Sequence, residues 1–108
     1  MKPLDRTTAA EYAACFKALA DPSRVQLVEL LARHGEPMGV GEIVEVMGLA
    51  QSTVSQHLKI LLDVRFVLAE RHGNARRYRI NARCIEYFPS AADVVMGKPA
   101  PTSAMGCE

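Results

Sequence analysis

Residues 41–64, GEIVEVMGLAQSTVSQHLKILLDV, decide how the rest of this chain is read. Ile43, Val44 and Met47 give a first short helix one apolar face. Gly48-Leu49 breaks it, because glycine accepts the positive φ that closes a helix C-terminus at little steric cost. A second helix opens at Ala50-Gln51-Ser52, with Ser52 as candidate N-cap. Val54, Leu58, Leu61 and Leu62 then recur at helical spacing and form one buried stripe. The opposite face carries Gln51, Ser52, Thr53, Ser55, Gln56 and Lys59, with His57 towards one edge. Small polar side chains at the start of a second helix suit the major groove, where donors and acceptors read base edges. The pattern is a helix-turn-helix, and the second helix is the candidate recognition helix.

Upstream, residues 8–20 (TAAEYAACFKALA) read as a helix with Ala9, Tyr12, Ala13, Phe16, Leu19 and Ala20 on a broad apolar face. Asp21-Pro22 starts another, since Asp is a good N-cap and Pro is tolerated at the first helical position. Its buried surface is expected from Val25, Leu27, Val28, Leu30 and Leu31, and His34-Gly35 ends it. Residues 36–40 read as a loop or short extended piece.

Downstream, two β-prone runs flank a Gly73-Asn74 turn and predict a hairpin. In the second run Arg77 and Arg79 alternate with Tyr78 and Ile80, so one face is basic and the other packs inward. A hairpin directly after a recognition helix is a wing. Arg71, His72, Asn74, Arg76 and Arg77 are its candidate contacts to phosphates or the adjacent minor groove.

Charge supports this placement. The net charge is only +1, but residues 51–83 hold seven basic and two acidic side chains. Residues 1–50 hold five basic and seven acidic, and residues 84–108 one basic and three acidic. The positive charge is concentrated where the motif would meet phosphate.

Residues 82–96 look helical but are interrupted by Pro89, so a last helix is expected from about Pro89 to Met96, stopped by Gly97. The expected fold is mainly α with a small β-hairpin, a winged helix-turn-helix of order α-α-α-α-β-β-α. One domain over residues 1–97 precedes a flexible tail over 98–108. The small residues of the first helix and of the last (Ala91, Ala92, Val94, Val95) suit a twofold interface, which makes a homodimer the expected form. Such a dimer would place two recognition helices about one DNA turn apart on a near-palindromic double-stranded operator.

Other classes are weakly supported. At 108 residues the chain suits one domain. No apolar run approaches the ~20 residues needed to span a bilayer, and the first residues lack the apolar core of a secretory signal. Three cysteines, at 15, 84 and 107, are no disulfide framework, so a reducing cytoplasm is expected. There is no Gly-rich phosphate loop or nucleophile elbow, and Ser52, Ser55 and His57 on one helix are not a catalytic triad. An enzyme is not expected.

FKALADPSRVQLVELL, GLAQSTVSQHLKIL and the wing's YRIN resemble the ArsR/SmtB family of bacterial winged-helix repressors over roughly residues 12–81. The resemblance implies a homodimer that holds an operator and releases it on binding a metal ion or other inducer. It also implies where inducer ligands should stand, and here the sequence departs. Arsenic and cadmium sensors of the family carry a Cys-Val-Cys near the start of the third helix, where this chain has Gly39-Val40-Gly41. Zinc sensors use Asp and His in the last helix, where this chain has Asp93 and no histidine. The remaining candidate ligands are Cys15, His34, Cys84 and Asp93, with His72, Glu86 and Cys107 as lesser ones. Mixed N, O and S donors would favour a nickel, zinc or cobalt ion. The alternatives are a thiol-redox-responsive regulator, an inducer-independent one, or a winged-helix protein-interaction module. Buried single cysteines are often only small hydrophobes.

Overall fold

The computed structural model describes residues 1–83, Asp93 and residues 95–97. The elements run α1 (Arg6–Ala18), α2 (Pro22–His34), β1 (Met38–Gly39), α3 (Val40–Met47), α4 (Gln51–Asp63), β2 (Val67–His72) and β3 (Ala75–Ile80). This is the expected winged helix-turn-helix with one strand more than the sequence pattern predicted. The sheet is antiparallel in the order β1-β3-β2. Met38 pairs with Tyr78 and Gly39 with Arg77, so part of the piece read as a loop or short extended segment is a third strand. Two residues are too few to display an alternation; the strand is defined by its pairing with β3, and its Met38 is buried.

α1 starts at Asp5, whose carboxylate accepts the Thr8 N–H at 3.2 Å. It buries Tyr12, Cys15 and Ala18, a narrower stripe than expected, and leaves Ala13 and Ala20 exposed. α2 starts as predicted. The Asp21 carboxylate accepts the N–H groups of Ser23 at 2.8 Å and Arg24 at 3.2 Å, and Pro22 opens the helix. Leu27, Leu30 and Leu31 are buried, but Val25 is 50% exposed. At about 100° per residue Val25 lies roughly 200° from Leu27, off the buried stripe.

α3 and α4 form the helix-turn-helix, with Gly48 closing α3 at φ 70°. Val54, Leu58 and Leu61 of α4 meet Leu27, Leu31, Ile43, Phe66 and Val67 in the one core, with Tyr78 and Ile80 of β3 packed against it. α4 ends in a Schellman arrangement. The Phe66 N–H donates to Leu61 O and the Arg65 N–H to Leu62 O, both at 3.0 Å, with Arg65 left-handed at φ 63°. That reversal delivers the chain into β2. Asn81 locks the far end of the hairpin to the same place. Its backbone N–H donates to Phe66 O and its Nδ2 to Arg65 O, both at 2.9 Å, while its Oδ1 accepts from the Arg83 N–H.

Most of the expected last helix and the whole of residues 98–108 lie outside the described residues; Asp93 and Val95 are helical and Gly97 takes φ 96°. No helix among the described residues is long and apolar enough to cross a membrane.

Candidate nucleic-acid interface

Burying Val54, Leu58 and Leu61 forces the other face of α4 outward. Gln51, Ser52, Thr53, Ser55, Gln56 and Lys59 are all exposed, and His57 at the edge is half-buried. Ala50, not Ser52, is the N-cap, and no side chain caps this helix. The first-turn N–H groups thus lack an intrahelical partner and a capping oxygen, the condition under which a helix N-terminus accepts a phosphate.

The wing carries a second set of donors. Arg71 lies directly across the ladder from Arg76, and His72 across from Ala75, around the Gly73-Asn74 turn. Like charges opposite one another in a ladder repel, so this pair favours an anion between or beside them. The Arg76 guanidinium stacks over the Tyr78 ring at 5.6 Å, and Arg71, His72, Asn74 and Arg76 are exposed. The other two arginines are already paired. Arg77 Nη2 donates to Glu42 Oε1 at 2.9 Å, and Arg79 Nε donates to Glu70 Oε2 at 2.5 Å. Glu70 Oε1 also takes His72 Nε2 at 2.8 Å. The His72 and Arg79 hydrogen bonds hold the Glu70 carboxyl below its ordinary range. The wing's free positive charge therefore sits near its tip rather than along β3.

His57 also has an inward partner that the sequence pattern did not suggest. Its Nδ1 lies 3.3 Å from Arg24 Nη1, and Arg24 Nε donates to the carbonyl of Ala18 at 2.6 Å. Desolvation pushes the nearby Asp21 carboxyl up, but the Arg24 and Ser23 N–H groups outweigh it, and the net effect is a lowered carboxyl. Thirty-three residues separate Arg24 from His57, so no local spacing announces the contact.

The candidate metal ligands are not brought together. Cys15 is 5% exposed, and burial, then the Glu11 charge, push its thiol up towards the protonated form. His34 Nδ1 lies 2.9 Å from Glu36 O at the exposed end of α2, and Asp93 is exposed. Cys84, Glu86 and Cys107 lie outside the described residues. Among the described residues no three His, Cys, Asp or Glu side chains are grouped to hold a metal ion. A β-carbon at Gly39 would stand 3.7 Å from Glu42 Oε1, and one at Gly41 would have nothing within 4 Å. Space for thiols is thus present at the start of α3, but the thiols are not.

Comparisons with known proteins agree with this architecture. Residues 21–68 match the bacterial regulatory protein, arsR family. The arsenical resistance operon repressor of Staphylococcus xylosus is 31% identical over 97 residues, covering 90% of this chain and 86% of that protein. The probable mercury resistance operon repressor of Streptomyces lividans is 41% identical over 81 residues, covering 75% of this chain and 58% of that protein. A homodimeric winged helix-turn-helix DNA-binding domain from Mycobacterium bovis, a possible ArsR-family transcriptional regulator, superposes with a TM-score of 0.68 at 29% identity. It covers 89% of this chain and 91% of that one. The chain belongs to the ArsR family of bacterial regulatory proteins, winged-helix DNA-binding transcriptional regulators and not enzymes.

Proposed function

We propose that this protein is a cytoplasmic transcriptional repressor that binds a near-palindromic operator as a homodimer. The observation that carries this reading is the wholly exposed polar face of α4 beginning at an uncapped first turn. Gln51, Ser52, Thr53, Ser55, Gln56 and His57 meet base edges and the nearest phosphates, and Lys59 meets the backbone. Arg71, Arg76, Asn74 and His72 follow the neighbouring phosphates from the wing, with Arg77 behind them. The open face of Ala9, Ala10, Ala13 and Ala14 on α1, bordered by Arg6 and Lys17, supports twofold association. The M. bovis domain's homodimeric form supports it too.

The relatives named for arsenical and mercury resistance support an inducer of metal or metalloid type. A nickel, zinc or cobalt site built from Cys15, His34, Cys84 and Asp93 would have to draw on a second copy or on residues 84–92. The described donors of one chain do not converge. The thiol-redox alternative is disfavoured at Cys15, since a buried, protonated thiol is a poor nucleophile towards oxidants.

Titrating the protein into labelled duplex over a series of salt concentrations tests the reading. Binding whose log affinity falls by roughly 0.9 per neutralised phosphate for each log unit of salt is expected. No binding to any duplex at low salt would favour a protein-interaction module. Repeating the titration after chelation, and separately after peroxide, distinguishes the two inducer classes.

A further inference from the structure

We infer that Arg24 is a positioning residue for DNA reading, which fixes His57 as a hydrogen-bond donor through its Nε2. The inference rests on the DNA-binding reading of α4. Arg24 stands where three helices meet. Its backbone N–H is taken by the Asp21 carboxylate that caps α2, its Nε donates to the carbonyl of Ala18 at the end of α1, and its Nη1 reaches His57 on α4. The backbone bond fixes the start of α2, and the Nε bond to Ala18 holds the guanidinium itself, so the contact with His57 has a defined direction.

A guanidinium has five N–H donors and no acceptor. Its contact with an imidazole nitrogen is therefore a hydrogen bond only if that nitrogen offers a lone pair. Nδ1 of His57 is consequently bare, and the ring proton is carried on Nε2. Among the described residues Nε2 makes no hydrogen bond and no buried side-chain nitrogen or oxygen lacks a partner, so Nε2 opens to solvent. His57 thus presents one outward donor and no outward acceptor. In the major groove that selects an acceptor, such as guanine O6 or N7 or thymine O4, over the amino groups of adenine and cytosine. Without Arg24 the ring would offer either tautomer and tolerate both kinds of partner.

The experiment pairs a tautomer measurement with a binding measurement on the full chain. Long-range 1H–15N spectra of the histidine rings, with His57 assigned by its loss in His57→Ala, report which nitrogen is protonated. The Nε2–H form is expected in the wild type, and mixed tautomers in Arg24→Met. Binding is then measured by anisotropy at fixed salt, on the duplex enriched from a randomised pool by the wild type and on a scrambled duplex. Arg24→Met is expected to weaken the enriched duplex about tenfold, a size typical of residues in contact, and the scrambled duplex much less. In a His57→Ala background the same substitution should add little. Thermal melts confirm that each variant is folded, and Arg24→Lys, which keeps a donor, should recover part of the selectivity.

An Nδ1–H tautomer in the wild type, or equal losses from Arg24→Met with and without His57, would overturn the proposal. A fixed Nε2–H tautomer in a protein that binds no duplex would overturn the DNA reading instead, and with it the outward role given to His57.

Discussion

Arg77 on β3 donates to Glu42 at 2.9 Å, so the return strand of the wing is tied to the first turn of α3. The same carboxylate oxygen accepts the Gly39 N–H at 3.0 Å, and Arg77 Nη1 reaches the carbonyl of Pro37 at 3.5 Å. One arginine thus joins β3, the start of β1 and the N-terminus of α3. An arginine neutralised in this way has less to offer a phosphate than one without an ion pair.

The wing arginines should therefore differ in their salt signatures. Arg71→Ala and Arg76→Ala are each expected to flatten the log–log salt slope of DNA binding by about one unit. Arg77→Ala should change the slope by clearly less. Both partners of the Arg77–Glu42 pair are substantially exposed, so its loss should cost no more than about 1 kcal/mol of stability. Equal slopes for the Arg71, Arg76 and Arg77 variants would contradict this ranking.

Gln56 tests the other half of the interface. It is exposed in the middle of the polar face of α4, and among the described residues no hydrogen bond holds its side chain elsewhere. Gln56→Ala should relax discrimination at one base position by roughly 1–3 kcal/mol and leave the salt slope unchanged. Competition between the enriched duplex and single-base variants of it gives the measurement. A uniform loss over all variants would mean that Gln56 touches the backbone and not a base.

Much of this architecture can be read along the chain, because it depends on local spacing. Val54, Leu58 and Leu61 announce the buried stripe of α4, Asp21-Pro22 announces the start of α2, and Gly48 announces the turn. The parts that could not be read depend on contacts between distant residues. β1 exists only by pairing with β3, and Arg24 meets His57 only after α2 and α4 have packed. Alternation correctly put Arg77 and Arg79 on one side of β3, but not that Glu42 and Glu70 would engage them. Periodicity says which way a side chain points; it does not say what it will find there.

Asn81 is the one buried polar side chain among the described residues, at 3% exposure, and its bonds join Arg65, Phe66 and Arg83. Asn81→Ala leaves the Arg65 carbonyl and the Arg83 N–H without these partners, at a cost of roughly 1–3 kcal/mol. Asn81→Asp should be at least as harmful, because it faces the Arg65 carbonyl with a carboxylate in place of a donor. Urea denaturation should show a lower midpoint at an unchanged slope. A midpoint equal to the wild type would show that the base of the hairpin is held by its core contacts alone.

Arg65 occupies the left-handed position that ends α4, where glycine is usual. Left-handed backbone costs an L-residue roughly 1–2 kcal/mol, so Arg65→Gly should exceed Arg65→Ala in stability by about 1 kcal/mol after the extra chain entropy of glycine is counted. Comparing these two variants removes the arginine side chain from both. Equal stability would mean that the turn relaxes out of the left-handed region when the side chain is lost.

The wing should also have an acid-sensitive joint at Glu70. Its carboxyl is lowered by the His72 hydrogen bond and then by that of Arg79, so the folded protein holds the charged form more firmly than the unfolded chain does. For a lowered carboxyl the added stability is fully present above the unfolded-state titration, and it is lost as pH falls through the folded one. Glu70→Gln should therefore be less stable than the wild type at neutral pH, and the difference should vanish at pH values below the ordinary glutamate range. Melting temperatures of the two proteins measured from neutral to strongly acidic pH give the comparison. A gap that persists undiminished into strong acid would show that Glu70 acts through packing and not through its charge.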